Sequence, residues 1–242
     1  MLGLAGLAWY ADYDYCGFYD EDRVKICFRD ACEGASYDAL MKFELPEHPD
    51  GSKLSLTRAF LYNDPMVGLV DKHISGLDTQ AYYRDVTEQL TQAMEETGLF
   101  RPACEVILRL SEVLEHKADF GVRLRAAYEA GDRETLRAMA TECDVIAQGI
   151  ERLRLVHRAA WMADNKPFGW EVHDIRYGGL IARLDTVKNR VLAYLSGEVS
   201  RLEELEEARL RLDGVLEENA EPRFHSKFLW TRYQAYATSE IL

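Results

Sequence analysis

DRETLRAMATECDVIAQGIERLRLVHRAAWM, residues Asp132–Met162, is the stretch whose reading decides the fold. Two rows of apolar positions run through it on a seven-residue beat. Leu136, Cys143, Ile150 and His157 form one row; Met139, Ile146, Leu153 and Ala160 form the other. That spacing makes a coiled-coil-like seam along one α-helix. Asp132 stands where a side-chain oxygen caps the first turn. At 1.5 Å per residue the helix is roughly 45 Å long. A stripe of that length needs other helices to bury it.

The flanking sequence supplies them. On the C-terminal side, Trp170–Leu195 carries Tyr177, Leu180, Leu184, Val187, Val191 and Tyr194 at helical spacing. Ser200–Glu218 repeats the pattern with Leu202, Leu205, Leu212 and Leu216. The tail from Phe224 is apolar and aromatic, and reads as a last helix or strand that packs back on the body. On the N-terminal side, Gly121 and Gly131 bracket a short helix. Pro102 opens another, with Val106, Leu110 and Val113 on one stripe, and Asp78 opens one that runs to about Thr97. The expected fold is all-α: long antiparallel helices forming a helical bundle, preceded by shorter helices.

Those shorter elements are less regular. Leu61–Gly76 contains Asp64-Pro65, read as a helix start with proline in the first turn. Leu45–Leu54 holds Pro46, Pro49, Asp50 and Gly51 and reads as a linker. It divides the chain into residues 1–54 and a helical domain over 55–242. Ser36 caps a helix through Phe43, and Asp20 caps one with Val24, Cys27, Phe28 and Ala31 inward. The first apolar helix begins near Leu4 with no capping residue, as expected of a chain cut inside a larger domain.

Composition narrows the function classes. The 242 residues are 48% hydrophobic and 29% charged, which suits a folded core. The net charge of -13 repels phosphate backbones, so nucleic acid is not an expected partner. Cys16, Cys27, Cys32, Cys104 and Cys143 are odd in number and form no CxxC pair, which points to free thiols in a reducing cytoplasm. No run approaches the roughly 20 apolar residues that span a bilayer, so no membrane partner is expected. Leu2–Tyr10 is apolar but has no basic segment before it, so it is not read as a signal peptide.

Chemistry is harder to find. No glycine-rich phosphate loop and no nucleophile elbow occurs. Glu112 and His116 stand four apart, but one such pair is common on solvated helices and too few for a metal. No cofactor or metal is expected. His157, on the seam, reads as a hydrogen-bonded core residue. Asp20-Glu21-Asp22 follows the aromatic run Tyr13–Tyr19, a pairing that suits sugar hydrolysis. Helix capping and the positive helix N-terminus explain the same three acids without catalysis. Cys16 and Cys104 have no histidine beside them in sequence. The most distinctive run, Asn165–Gly179, places a turn, two aromatics, alternating charges and two glycines at the start of a long helix. Asp174 and Arg176 read as an ion pair to another part of the structure, and Gly178-Gly179 as a site of close helix packing.

That run carries a resemblance. NKPFGWEVHDIRYGGLIARL, residues 165–184, resembles the helical C-terminal region of a bacterial branch of glycoside hydrolase family 20, the exo-acting β-N-acetylhexosaminidases. LYNDPMVGLVDKH, residues 61–73, resembles the LYxDPLLGLFDKH segment that follows the catalytic barrel there. Leu7–Tyr13 resembles the last barrel helix. The similarity runs in order over nearly the whole chain. It marks Asp64, Pro65, Asp71, His73, Phe168, Trp170, Asp174 and Arg176 as signature or interface candidates. In the family an Asp-Glu pair in a (β/α)8 barrel works with the substrate's own 2-acetamido group. That pair precedes the region matched here, and the surroundings of Asp20-Glu21 match the stretch after the barrel. The resemblance therefore implies no catalytic residue in this chain. Its implied partners are a barrel domain or a second copy. Two alternatives stay open: a free-standing helical scaffold or binding protein, and an independent site built on Trp170, Glu171, His173 and Asp174.

Overall fold

The computed structural model describes residues 3–51, 55–68, 70–74 and 76–209. Helices are the regular elements throughout these residues. Three short ones come first: α1 (Gly3–Cys16), α2 (Glu21–Ala31) and α3 (Tyr37–Met41). Asp20 caps α2 by accepting from the Arg23 amide at 3.1 Å, and Ser36 caps α3 by accepting from the Ala39 amide at 3.3 Å. Next are α4 (Thr57–Tyr62), α5 (Asp71–Ile74), α6 (Thr79–Ala93) and α7 (Arg101–Lys117). They are followed by α8 (Phe120–Glu129), α9 (Arg133–Asp164), α10 (Trp170–Ser196) and the single turn α11 (Glu203–Glu206). Asp132 caps α9 through the Thr135 amide at 3.0 Å.

Four long helices, α6, α7, α9 and α10, pack side by side in that order, each antiparallel to the next. Cross-links show the register. Arg84 on α6 meets Glu115 on α7 at 3.0 Å, and Thr87 meets Ser111 at 2.9 Å. On α7 and α9, Val113 lies against Gly149, while His116 meets Glu142 at 3.4 Å. On α9 and α10, Lys188 meets Asp144 at 2.6 Å, and the His157 ring lies 3.0 Å from the Tyr177 hydroxyl. Gly149 is the close approach in this stack: a Cβ there would stand 3.2 Å from a Val113 methyl.

The heptad rows of α9 point as their spacing predicts. Leu136, Met139, Cys143, Ile146, Ile150 and Leu153 are buried, together with Tyr177, Leu180, Leu184, Val187 and Val191 of α10. These side chains join Phe60, Leu114, Leu124 and Leu205 in one apolar cluster. A second cluster packs Phe28, Ala39, Leu40 and Phe43 against Val86, Leu90, Cys104 and Leu108. α6 and α7 thus serve both clusters, one along each face or end.

Four local expectations change. Leu45–Leu54 is not all loop: Lys42–Glu47 winds as a 3₁₀ helix with Phe43 and Pro46 buried. The Tyr82 and Tyr83 hydroxyls hold it by donating to the Leu45 and Pro46 carbonyls at 2.7 and 3.0 Å. Cys27 and Ala31 face outward; of α2 only Val24 and Phe28 are buried. Leu61–Gly76 is no helix start, for reasons given below. After Ser200 only α11 forms among the described residues; Leu212, Leu216 and the aromatic tail lie outside them, as does the position that would cap α1. None of the five cysteines forms a disulfide. No helix among the described residues is long and apolar enough to cross a membrane.

Candidate functional site

The loop between α4 and α5 builds a buried polar node. Pro65 disfavours helical geometry at Asp64, so α4 ends at Tyr62. Asp64 then turns the chain. Its Oδ1 accepts from the Met66 and Val67 amides at 2.9 and 3.0 Å. Gly68 continues the turn with φ +61°. A Cβ at Gly68 would lie 2.0 Å from Asp71 Oδ2 and 2.7 Å from Arg209 Nε, so only glycine fits. Asn63 ties the loop ends together: it accepts from the Val70 amide at 3.1 Å and donates to Asp71 Oδ1 at 2.9 Å.

Three distant cations reach this loop. Arg183, from α10, donates to Asp64 through Nε at 2.7 Å and Nη2 at 3.2 Å. Lys117, the last residue of α7, donates to the Asn63 carbonyl at 2.7 Å. Arg209, beyond α11, donates through Nε to Asp71 Oδ2 at 3.0 Å. Gly121 of α8 closes the side, where a Cβ would stand 2.9 Å from the Pro65 carbonyl. Asp64, Asp71, Lys117 and Arg209 are all buried.

A second constellation occupies the turn between α9 and α10. Trp170 is buried and donates to Asp174 at 3.0 Å; Arg154 of α9 reaches Asp174 at 3.3 Å. Gly169 adopts φ +94° ahead of α10, and the Glu171 carboxylate accepts from its amide at 2.8 Å. Trp161 donates to the Lys166 carbonyl at 2.9 Å. The rings of His157, Trp161, Trp170 and His173 pack edge to face or tilted, with His157 and His173 centroids 4.8 Å apart.

Both constellations lie inside the segment 39–224, which matches the family model of the glycoside hydrolase 20C C-terminal domain. The chain belongs to this family. A search of curated proteins finds no match.

Within this 20C C-terminal domain the signature candidates separate into two places. Asp64, Pro65 and Asp71 meet in the node, and His73 is buried on α5 nearby. Trp170, Asp174 and Arg176 lie on the first turns of α10, with Phe168 exposed at the tip. Asp174 pairs with Arg154 of α9, while Arg176 Nε is buried with no hydrogen-bond partner among the described residues. Gly178 is not a packing contact: a Cβ there would meet open space. Glu112 pairs with Arg109 at 2.5 Å, while His116 turns to Glu142. Cys104 is buried, and that burial pushes its thiol up to about 12, which disfavours the thiolate.

Sequence reasoning missed Lys117, Arg183 and Arg209. A signal existed for two of them. Lys117 falls four residues after Val113 on the stripe of α7 that was read as apolar, and Arg183 lies inside the 165–184 run. A lysine on a core stripe calls for a buried acceptor.

The charges of the node are strongly biased. Burial raises the Asp64 pKa, but the hydrogen bond and charge of Arg183 and two backbone amides hold it below the usual carboxylate range. Burial wins at Asp71 and pushes its carboxyl up despite Asn63 and Arg209. Burial lowers the Lys117 ammonium to about 8 against the opposing pull of Asp64 and Asp71. Two carboxylates face three cations here. Every Asp64 and Asp71 oxygen already accepts a hydrogen bond, so the node is chemically a clamp joining the α4–α5 loop to α7, α10 and the chain after α11.

At the hairpin turn, burial and then the neighbouring His173 lower His157 to about 4 from 6.5. The folded state therefore keeps a neutral ring where the unfolded chain takes a proton. Stability from this group is whole above pH 6.5 and falls as pH drops from 6.5 to 4. The ring is partly exposed, so the loss is discounted to about 1–2 kcal/mol. Urea unfolding at pH 7 and pH 4.5 should show a smaller acid loss in His157→Gln than in the parent. Equal losses would refute this assignment.

Proposed function

We propose that this chain is the helical C-terminal part of a β-N-acetylhexosaminidase of glycoside hydrolase family 20. In this reading its role is to buttress a catalytic domain, and it has no hydrolytic activity alone. The observation that carries the proposal is the outer face of α1. Leu7, Tyr10, Tyr13 and Tyr15 of α1 are all exposed, Tyr15 at 92%, as are Phe18 just after it and Ile26 of α2. So many exposed aromatic and apolar side chains around one helix favour a docking role for α1. The same helix resembles the last helix of the family's barrel, which makes a barrel domain its natural cover.

The body behind that face is built to bear load. α1 is tied to α2 by Arg23, which donates to Asp12 through Nε at 2.6 Å and Nη2 at 2.7 Å. The cluster of Phe28, Ala39 and Phe43 against Leu90 and Leu108 then fastens both to α6 and α7. The proposed division near residue 54 makes this cluster the joint between the end of the barrel region and the helical domain.

A chromogenic N-acetylglucosaminide offered to the purified chain should give no turnover above blank. The same preparation should sediment as a homodimer or larger species at tens of micromolar, because the uncovered α1 face drives association. Tyr10→Glu with Tyr13→Glu should shift it toward monomer. Clear turnover by the chain alone, or a clean monomer before substitution, would overturn the proposal.

A further inference from the structure

The node opens on one side into a cleft of about 470 Å³, lined by Asp71, Lys72, Val122, Arg125, Ala126, Glu129 and Arg209. Its charges do not balance locally. Asp71 is taken up by Asn63 and by Arg209 Nε. Glu129 is taken up by Arg125 Nε, one helical turn away, at 2.7 Å. Both carboxylates are thus occupied by arginines, and with Lys72 the cations on the walls outnumber the carboxylates by one.

Arg209 is the informative one. Its side chain is 5% exposed. Nε is bonded to Asp71, and Nη1 donates to the Glu204 carbonyl at 3.3 Å. Nη2 is buried and has no hydrogen-bond partner among the described residues. A buried, unmet guanidinium donor costs free energy that an acceptor would recover. Burial and the charge of Arg125 both lower the Arg209 pKa, so these two guanidinium groups repel across the cleft. An anion between them would relieve the repulsion and offer an acceptor to the Arg209 guanidinium.

The geometry points to an oxyanion site in this cleft, with Lys72, Arg125 and Arg209 as its ligands and a tetrahedral phosphate-type group as its occupant. The three residues arrive from different elements: α5, α8 and the strand of chain after α11. Three cations converging from separate directions suit a group with several outward oxygens. A planar carboxylate presents two. Gly68 and Gly121 leave room for the Asp71 carboxylate, from which a Cβ would stand 2.0 and 3.3 Å away. A cationic cleft also stands out on a chain of net charge -13, where it gives an anion one local place to settle.

The test is calorimetric titration of the full 242-residue chain with inorganic phosphate at fixed ionic strength. Saturable binding with Kd on the order of 1 mM is expected. Lys72→Gln and Arg125→Gln should each weaken it at least about fivefold, roughly one lost charge-assisted hydrogen bond. Both variants should keep the parent's helical circular dichroism, because neither residue is buried. Acetate at the same ionic strength should bind at least about fivefold more weakly than phosphate, by the same donor count. Three results would each overturn the proposal: no saturation by about 50 mM phosphate on that affinity scale, affinity unchanged in both variants, or acetate binding as tightly as phosphate.

Discussion

Replacing Asp64 with alanine is expected to lower the melting temperature by about 10 °C. Asp64 is buried and gathers two backbone amides and both arms of Arg183. Removing one member of such a pair costs about 3–5 kcal/mol, mostly by stranding the other groups. For a domain near this size each kcal/mol moves the midpoint by about 2–4 °C. Arg183→Ala should cost less, because the arginine is the more exposed partner and Asp64 would keep its amides. Asp64→Asn should fall between parent and alanine, since it retains an acceptor for Met66 and Val67 but loses the charge. Thermal melts of the three variants and the double mutant would show the coupling. A drop of less than about 3 °C in Asp64→Ala, on the same conversion, would mean the node is not a clamp.

Lys117 provides the second large effect, through pH. Its folded pKa of about 8 lies below the ordinary lysine value of 10.5, because burial penalises the ammonium. Between those values the unfolded chain binds a proton that the folded chain has released. Stability therefore rises with pH across that window and is flat below it. The full difference is about 3 kcal/mol, and full burial leaves little to screen. Lys117→Met cannot titrate, so its stability should lose ground to the parent by about 2–3 kcal/mol between pH 7.5 and 10. Tyrosine ionisation is common to both proteins and cancels in the comparison. Urea unfolding across that pH range is the measurement; parallel stability curves would sink the prediction. A pH-dependent gap would also distinguish a buried lysine from one that is merely long and apolar at its stem.

Much of the fold is legible in the residues because its causes are local. The rows Leu136–Ile150 and Met139–Leu153 repeat within one helix, and Asp132, Asp78, Asp20 and Ser36 each cap within three residues of themselves. These signals act over a few ångströms of contiguous chain, so the sequence alone carries them. The errors arose where local signals competed with distant packing. Pro46 and Pro49 mark a break, yet Tyr82 and Tyr83 bind the preceding carbonyls and wind them into a 3₁₀ turn. Asp64-Pro65 resembles a helix start, yet its carboxylate is spent on a tight turn and on Arg183.

The family signature was likewise visible, in two runs about a hundred residues apart, and the match over 39–224 agrees with it. What those runs do for one another was not. Arg183 joins Asp64 across 119 residues, and Arg209 joins Asp71 across 138. No periodicity links positions that far apart. Their meeting depends on the α9–α10 hairpin folding back and on glycines at 68 and 121 leaving room. Helix identity, caps and the long seam were thus determined by the sequence itself, through contacts within a turn or two. The node and its cationic cleft were decided only by tertiary structure, because a buried charge acquires its partner, and its altered pKa, when the chain closes around it.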